Sequence, residues 1–159
     1  RASHAIVLSG NPGDPASDAM NVTVTLAIEG RAKQVNTVVE CIDPSTEELL
    51  RKAGCDRVVC TGRHGALYVS QELLNPGVQE ILADLLSTVE GQQLYLTPVA
   101  AGSAATYASL RQAATGAGHV ALGVRRAGAN HLNPAADFAL NDGDVAITMG
   151  ATRLSTLKA

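Results

Sequence analysis

The chain has 159 residues, of which 46% are hydrophobic and 17% charged. This composition can bury a core and is too apolar for a disordered protein. The formal net charge is -3 and no long basic run is present, so a nucleic-acid partner has no electrostatic support. No apolar run approaches the roughly 20 residues that span a bilayer, so we expect no direct membrane insertion. Three cysteines without a C-x-x-C pair predict free thiols in a reducing cytoplasm.

The first half alternates short apolar runs with helical patterns. Strands are predicted at residues 4–9, 35–42 and 57–61, and helices follow each of them. The segment 20–28 fits both a strand alternation and a helical stripe, and we favour a helix. Ser45 and Glu48 are spaced as a capping box for the next helix, which Gly54 should end. Strands joined by helices predict right-handed crossovers and a parallel sheet.

A long helix is predicted from about residue 64 to residue 87, with a kink or break at Pro76 and Gly77. Beyond the break, apolar residues recur at the i, i+3, i+4, i+7 spacing of an amphipathic helix. These residues are Val78, Ile81, Leu82, Leu85 and Leu86. The stripe is suited either to packing on its own sheet or to contact with a second subunit, and we favour the second subunit.

The second half changes character near residues 87–91. Strands are predicted at 92–99, 119–126 and 145–149, a helix at 107–114, a turn at 141–144 and a last helical turn at 153–157. This half reads as a small α+β lobe with antiparallel strands. The predicted fold class is therefore α/β, an incomplete Rossmann-like parallel sheet (1–87) followed by a small α+β lobe (88–159).

The order of these elements resembles the regulator-of-potassium-conductance (RCK, or TrkA-type) family. The resemblance lies in A-G-C-D-R-V-V-C-T at 53–61 and S-Q-E-L-L-N-P-G-V at 70–78. In the second half it lies in G-V-R-R-A-G at 123–128, N-P-A-A-D-F-A-L at 133–140 and N-D-G-D-V-A-I-T-M-G at 141–150. It implies the second half of a nucleotide-binding-type lobe followed by a TrkA-C-like lobe. Because the chain opens on a strand-like run after Arg1, we expect it to lie inside a longer protein.

One family feature is missing. A glycine-rich turn of the G-x-G-x-x-G kind normally follows the first strand and brings backbone amides to a pyrophosphate. Gly10-Asn11-Pro12-Gly13 has the wrong spacing, and Pro12 has no amide hydrogen to donate. No cofactor is certain for this chain, and nucleotide binding is expected only if an upstream half supplies the phosphate loop.

Acidic residues are predicted near the carboxyl ends of the parallel strands, where ligands collect in such sheets. Asp18 and Glu40 are candidate Ca²⁺ ligands, because Ca²⁺ takes several carboxylate and carbonyl oxygens. The resemblance adds that calcium-gated members of the family use acids near this region. The alternative is that Asp18 only supports the start of a helix.

Two basic sites are candidates for anionic ligands. Arg63 and His64 follow the third strand at a predicted helix start, which suits a phosphate. In the second lobe, Arg126 and Asn133 are candidates for lining a groove for a small anionic effector, and some relatives bind a cyclic dinucleotide in this lobe. The alternative for all four residues is an ordinary solvated surface.

The resemblance implies a cytoplasmic regulatory domain, at the inner face of the plasma membrane, that gates a potassium channel or transporter. Its partners would be a second copy, in a dimer or a larger gating ring, and a membrane potassium pore that is either covalently attached or separate. No catalytic constellation is recognised, so we expect no enzyme. Two alternatives remain open: half of an NAD-dependent oxidoreductase domain, and an assembly module that binds no ligand.

Overall fold

The computed structural model describes residues 2–87, 91–100 and 105–159. The chain forms two compact units, Arg1–Gly77 and Val78–Ala159. The predicted boundary after residue 87 falls at residues 88–90, which lie outside the described residues. The observed division comes earlier in the chain, at the Pro76-Gly77 break. Among the described residues, no helix is both long and apolar enough to cross a membrane.

The first unit contains a three-stranded parallel sheet in the order β1-β2-β3. Its strands are β1 (His4–Val7), β2 (Asn36–Cys41) and β3 (Arg57–Cys60), and its helices are α1 (Ser17–Arg31), α2 (Glu47–Lys52) and α3 (Thr61–Leu74). α1 and α2 form the crossovers that parallel neighbours require. The predicted parallel sheet is confirmed, and the ambiguous segment 20–28 is helical.

Within the described part of the first unit, α1 and α2 pack against the strands on the core side of this sheet. Val7, Val39 and Leu50 form the core with Cys41 and Cys60. The alternate strand residues point the other way, and Ile6 is 71% exposed. A doubly wound sheet carries helices on both faces. The first unit therefore has the incomplete Rossmann-like arrangement that the sequence predicts.

The buried side of α1 is polar. Ser17, Asp18, Asn21 and Thr25 are its buried residues, whereas Met20, part of the predicted apolar stripe, is 64% exposed. A mostly polar helix face against a sheet needs internal hydrogen-bond partners, because burying an unpaired polar group costs free energy. Asp18 and Asn21 have their partners at the carboxyl edge of the strands, and the Thr25 hydroxyl donates to the Asn21 carbonyl within α1.

The start of α2 differs from the prediction. The carboxylate of Asp43 accepts a hydrogen bond from the Ser45 amide at 2.8 Å, and Pro44–Thr46 form a 3-10 turn before α2. Thr46, which precedes α2, makes no side-chain cap. The predicted capping box of Ser45 and Glu48 is therefore wrong, because Asp43 caps the chain one turn earlier. Gly54, at φ 103°, follows the end of α2 as predicted.

The break in the long helix is confirmed. α3 ends at Leu74, and α4 (Val78–Leu86) begins after Gly77, whose φ of 92° suits a glycine. α3 begins at Thr61, earlier than predicted. Neither helix has a buried residue.

The second unit contains a five-stranded sheet in the order β6-β5-β7-β4-β8. The strands are β4 (Gln93–Ala100), β5 (Val120–Arg126), β6 (Ala129–Leu132), β7 (Val145–Gly150) and β8 (Leu157–Lys158), and the helices are α4 and α5 (Tyr107–Gly116). The pairs are antiparallel except β4 with β8. The predicted antiparallel lobe is confirmed. The predicted helical turn at 153–157 is wrong, because Leu157 pairs with Val99 in the sheet.

The second unit has its own hydrophobic core beneath α5. Tyr107, Leu110 and Val124 are almost fully buried there, and the Tyr107 hydroxyl donates to the Ala121 carbonyl at 3.0 Å. Thr106 and Ser109 form a reciprocal capping box at the start of α5, which fixes where this helix begins.

Candidate functional site

Asp18 lies at the carboxyl edge of the first sheet and is only 1% exposed. Its two carboxylate oxygens accept hydrogen bonds from the Ile42 amide at 3.0 and 3.2 Å, and one of them accepts from the Asp43 amide at 2.8 Å. The Cys41 thiol also points at this carboxylate, at 3.7 Å. The first turn of α1 thus holds the chain as it leaves β2.

Glu40 takes part in a second network at the same edge. Its carboxylate accepts hydrogen bonds from the Ser9 amide at 2.9 Å and from the Thr61 hydroxyl at 3.2 Å. The bond from the Ser9 amide is the main cause that holds the pKa of Glu40 below its usual value, against the opposing effect of burial. Asn21 donates to the Ser9 hydroxyl and to the Glu40 carbonyl. The ends of β1 and β2 are therefore tied to α1, and Thr61, which follows β3, is tied to Glu40 of β2.

The structure gives the two candidate calcium ligands other partners. Both carboxylates already accept hydrogen bonds from the chain. Within residues 2–87, 91–100 and 105–159, no group of three or more His, Cys, Asp and Glu side chains is arranged to hold a metal ion. Binding of Ca²⁺ at Asp18 and Glu40 would use oxygens that now accept backbone amides, and it stays a prediction.

The two cysteines of this edge, Cys41 and Cys60, are buried free thiols. Cys41 and Cys60 are neighbours across β2 and β3. Burial, with a smaller contribution from the charge of Asp18, raises the pKa of Cys41 to about 12. A thiol with such a pKa stays protonated at neutral pH, and the thiolate is the reactive form.

Arg63 and His64 lie in the first turn of α3 and are exposed. Arg63 forms an ion pair with Glu47 at 2.8 Å, and Glu47 also bonds Arg51 at 2.6 Å. The bond to Arg51 is the main cause that lowers the pKa of Glu47. An anion at Arg63 would compete with Glu47, because the Glu47 carboxylate already binds this guanidinium. It stays a prediction.

In the second unit, Arg126 binds Asp144, which is 2% exposed. The guanidinium makes two bonds to the carboxylate, at 2.8 and 2.7 Å, and one to the Ala139 carbonyl at 2.7 Å. It also stacks 4.7 Å from the centre of the Phe138 ring. Hydrogen bonding to Arg126 is the main cause that lowers the pKa of Asp144.

This cluster fixes the loop between β6 and β7. Asp144 also accepts a hydrogen bond from the Asn141 amide at 2.9 Å, within the predicted turn at 141–144. Asn133 is exposed and has a φ of 43°, and its backbone N–H donates a hydrogen bond to the Leu122 carbonyl. The predicted anion groove at Arg126 and Asn133 stays a prediction, because Arg126 already binds a carboxylate of its own chain.

The predicted association stripe lies on α4. Ile81 and Leu86 are 60% and 61% exposed, and Val78, Leu82 and Leu85 are half-buried. The stripe is thus only partly covered within the chain. Its role in dimerisation stays a prediction.

Sequence reasoning missed the residues that support this edge. Ser9, Asn21 and Thr61 hold Glu40 and the strand ends together. The sequence contained one indication of the role of Asn21. Asparagine is a poor helix former, so its position inside a predicted helix suggests that its side chain makes a hydrogen bond.

Comparison with known proteins finds sequence similarity to a potassium channel protein. No family model matches the chain. The chain is 33% identical over 79 residues to potassium channel protein 1 of Methanocaldococcus jannaschii. The aligned segment covers 50% of this chain and 24% of that protein. The fold of the chain matches the human SLO3 gating ring with a TM-score of 0.71 at 14% identity, over 95% of this chain and 33% of that one. In sequence the chain is similar to a part of a potassium channel protein, and it has the fold of a gating-ring chain.

A second solved structure, the GsuK RCK domain, aligns over 95% of this chain and 31% of its own, with a TM-score of 0.43 and 22% identity. The chain spans about a quarter of the length of the curated relative that it matches. It corresponds to a part of that protein.

Proposed function

We propose that this chain is an RCK-type domain, a cytoplasmic regulatory domain that gates a potassium channel or transporter. The observation that carries the proposal is the 33% identity with a potassium channel protein over 79 residues. The two-unit fold shared with a gating ring supports it. The proposed role is non-catalytic, and the pore is either part of the same polypeptide or a separate subunit.

The proposed mechanism uses the junction at Gly77. Each unit has its own core, and α3 and α4 are separated by Asn75-Pro76-Gly77. An effector that binds one arrangement of the units better than another shifts the population toward it, by its differential affinity alone. Paired copies would transmit that change to the pore.

Self-association through α4 is part of this proposal. The exposed side chains of Ile81 and Leu86 and the half-buried ones of Val78, Leu82 and Leu85 support it. Burying such a stripe against a second copy removes apolar surface from water, and each Å² contributes about 25 cal/mol before association costs.

Three effector classes fit the candidate sites. Ca²⁺ would use Asp18 and Glu40, and a small anion would use Arg63 with His64 or Arg126 with Asn133. A nucleotide would need a phosphate loop from outside this chain. The carboxylates of Asp18 and Glu40 support a cation, and the basic side chains of Arg63 and Arg126 support an anion. The bonds that Asp18, Arg63 and Arg126 already make within the chain oppose binding of either ligand.

The first experiment follows the melting temperature of the chain with Ca²⁺, ATP, NAD and a cyclic dinucleotide. A ligand that binds only the folded state must raise stability, so an effector at 100 times its Kd raises the melting temperature by several degrees. For Ca²⁺, Glu40→Gln should abolish the rise, and Glu48→Gln, at an exposed acid, should keep it. No rise with any effector would favour an assembly module.

The second experiment tests gating itself. The full-length protein that contains this chain is reconstituted in lipid vesicles, and potassium flux is measured with and without the effector. Ile81→Ser with Leu86→Ser should uncouple flux from the effector while the vesicles still conduct. Effector-dependent flux that is unchanged in this variant, or reduction of NAD by the protein, would contradict the proposal.

A further inference from the structure

Two cysteines that the proposed function does not use lie side by side in the first unit. Cys41 is the last residue of β2 and Cys60 is the last residue of β3, and the two are register partners in these parallel strands. Both belong to the same core cluster, so their side chains point to the same face of the sheet. Such a pair of thiols is a candidate for covalent chemistry.

The spacing of the strands suits a disulfide between these residues. Neighbouring strands lie about 4.8 Å apart, which is inside the range of about 4.4–6.8 Å over which the Cα atoms of two cysteines can be bridged. Both cysteines end their strands, so a small adjustment of either residue disturbs few hydrogen bonds of the ladder. The bridge needs no sliding of one strand past the other.

The two thiols are already within hydrogen-bond reach of each other. Burial is the main cause that raises the pKa of Cys41, and a hydrogen bond with the Cys60 side chain is among the smaller causes. The Cys41 thiol also donates to the Asp43 carbonyl at 3.0 Å, whereas the Cys60 thiol lies 4.0 Å from the Ile42 carbonyl. The second contact is long for a hydrogen bond, so Cys60 loses little when its proton is removed.

We propose that Cys41 and Cys60 are a modification site, at which hydrogen peroxide forms a reversible disulfide between β2 and β3. The disulfides that do occur in a reducing cytoplasm are usually transient and catalytic or redox-sensing. This site goes beyond the proposed function, because it needs neither an effector nor a second copy of the chain. The bridge would fix the end of β3, from which α3 begins at Thr61.

Cys60 is the residue that peroxide reaches first. It lies on the last strand of the described sheet and is 5% exposed, whereas Cys41 is fully buried. The Cys60 sulfur attacks one peroxide oxygen and the O–O bond breaks, which gives a sulfenic acid and releases the other oxygen as water with the thiol proton. The Cys41 sulfur then attacks the Cys60 sulfur, the S–O bond breaks, and the hydroxyl leaves as water with the Cys41 proton. Two thiols lose two electrons, and one peroxide becomes two waters.

Cys55 provides an internal control. It lies before β3, at the opposite end of the strand from Cys60, and the extended chain between them places the two roughly 16 Å apart. Its thiol donates to the Leu50 carbonyl at 3.3 Å. In an unfolded chain the preference reverses, because the short loop between Cys55 and Cys60 closes at a lower entropic cost than the longer loop from Cys41. The folded and the unfolded chain should therefore form different bridges.

The experiment treats the reduced chain with hydrogen peroxide, in buffer and in concentrated urea. Remaining thiols are blocked with a maleimide under denaturing conditions, and the digested chain is mapped by mass spectrometry without reduction. The folded chain should keep one of its three thiols, at Cys55. Its Cys41–Cys60 bridge should exceed either bridge to Cys55 at least about 10-fold, because only this pair has the required spacing. The urea sample should yield mainly the Cys55–Cys60 bridge, and dithiothreitol should restore all three thiols in both samples.

Two variants check the assignment, with circular dichroism as the test of folding. Cys55→Ser should form the same bridge as the parent, and Cys60→Ser should leave Cys41 reduced, because Cys41 is fully buried. The thiol count in the parent chain does not depend on either variant. Three thiols that survive peroxide in the folded chain, a bridge to Cys55 there, or a Cys60 sulfinic acid without a bridge would each overturn the proposal.

Discussion

Asp18 is a charged residue at a position where a helix start usually needs only a surface cap. Its carboxylate is buried and accepts amides from Ile42 and Asp43, residues that are distant in sequence. A buried charge is tolerated only when such hydrogen bonds compensate its desolvation. Asp18 is therefore a tie between α1 and the end of β2.

Replacing this carboxylate gives the first prediction. Asp18→Asn keeps the shape but leaves one acceptor oxygen and points an amide group at backbone amides. We expect the free energy of unfolding to fall by about 2–3 kcal/mol. Urea denaturation measures it, with Glu48→Gln as the control: Glu48 has a 78% exposed side chain, and its loss should cost under about 0.5 kcal/mol. Equal effects of the two substitutions would contradict the role given to Asp18.

Asp144 gives a prediction about pH. Its pKa in the folded protein lies below the usual 3.8, mainly because of the bonds from Arg126. A lowered pKa contributes stability that is present above the unfolded value and lost as pH falls through the folded value. The second unit should therefore lose stability below about pH 4. The difference in unfolding free energy between the parent and Asp144→Asn should be largest at neutral pH and shrink in acid, and a constant difference would speak against it.

At the scale of elements, α3 depends on a glycine in its first turn. A Cβ at Gly62 would overlap the carbonyl oxygen of Ile42, whereas a Cβ at Gly65 would meet nothing. Gly62 lets α3 start against the end of β2, and Gly65 has no such neighbour. The two positions lie in the same helix, so they form a matched pair.

We expect Gly62→Ala to destabilise the chain by about 1–3 kcal/mol through overpacking. Gly65→Ala should instead stabilise it by up to about 1 kcal/mol, because alanine is the better helix former. Urea denaturation with helix content by circular dichroism measures both. Two stabilising substitutions would show that α3 does not start where the structure places it.

Local signals predicted some elements of this chain and missed others. The parallel sheet, the break at Pro76-Gly77 and the Asn141–Asp144 turn follow from apolar runs and turn residues. The sequence did not predict β6, because its hairpin turn lacks the usual signal. Ala127 and Gly128, with φ of 48° and 86°, form a two-residue turn in which asparagine or glycine is usual at the first position. The sequence did not predict β8 either, because two residues show no periodicity and the pairing of β8 with β4 joins residues that are distant in sequence.

The candidate site shows the same limit. Sequence placed Asp18 and Glu40 near the ends of the strands, as the structure does. Their partners lie 24 and 31 residues away along the chain, as with the Ile42 and Ser9 amides. No local pattern predicts which acid is exposed to a ligand and which is used by the fold. A motif assigns a residue to an edge, and only packing decides what its oxygens bind.

The whole molecule has two hydrophobic cores, and they should respond separately to mutation. Leu50 is fully buried in the core of the first unit and Leu110 in that of the second. Truncating a buried leucine to alanine costs about 2–5 kcal/mol, and that cost falls on the unit whose core loses the contacts. Leu50→Ala should speed hydrogen exchange in peptides of Arg1–Gly77, and Leu110→Ala in peptides of Val78–Ala159. Mass spectrometry of both variants measures this at one pH. Exchange that rises equally in both units would mean that the chain unfolds as one cooperative body, and the junction at Gly77 would then be unable to serve as a hinge between independently stable units.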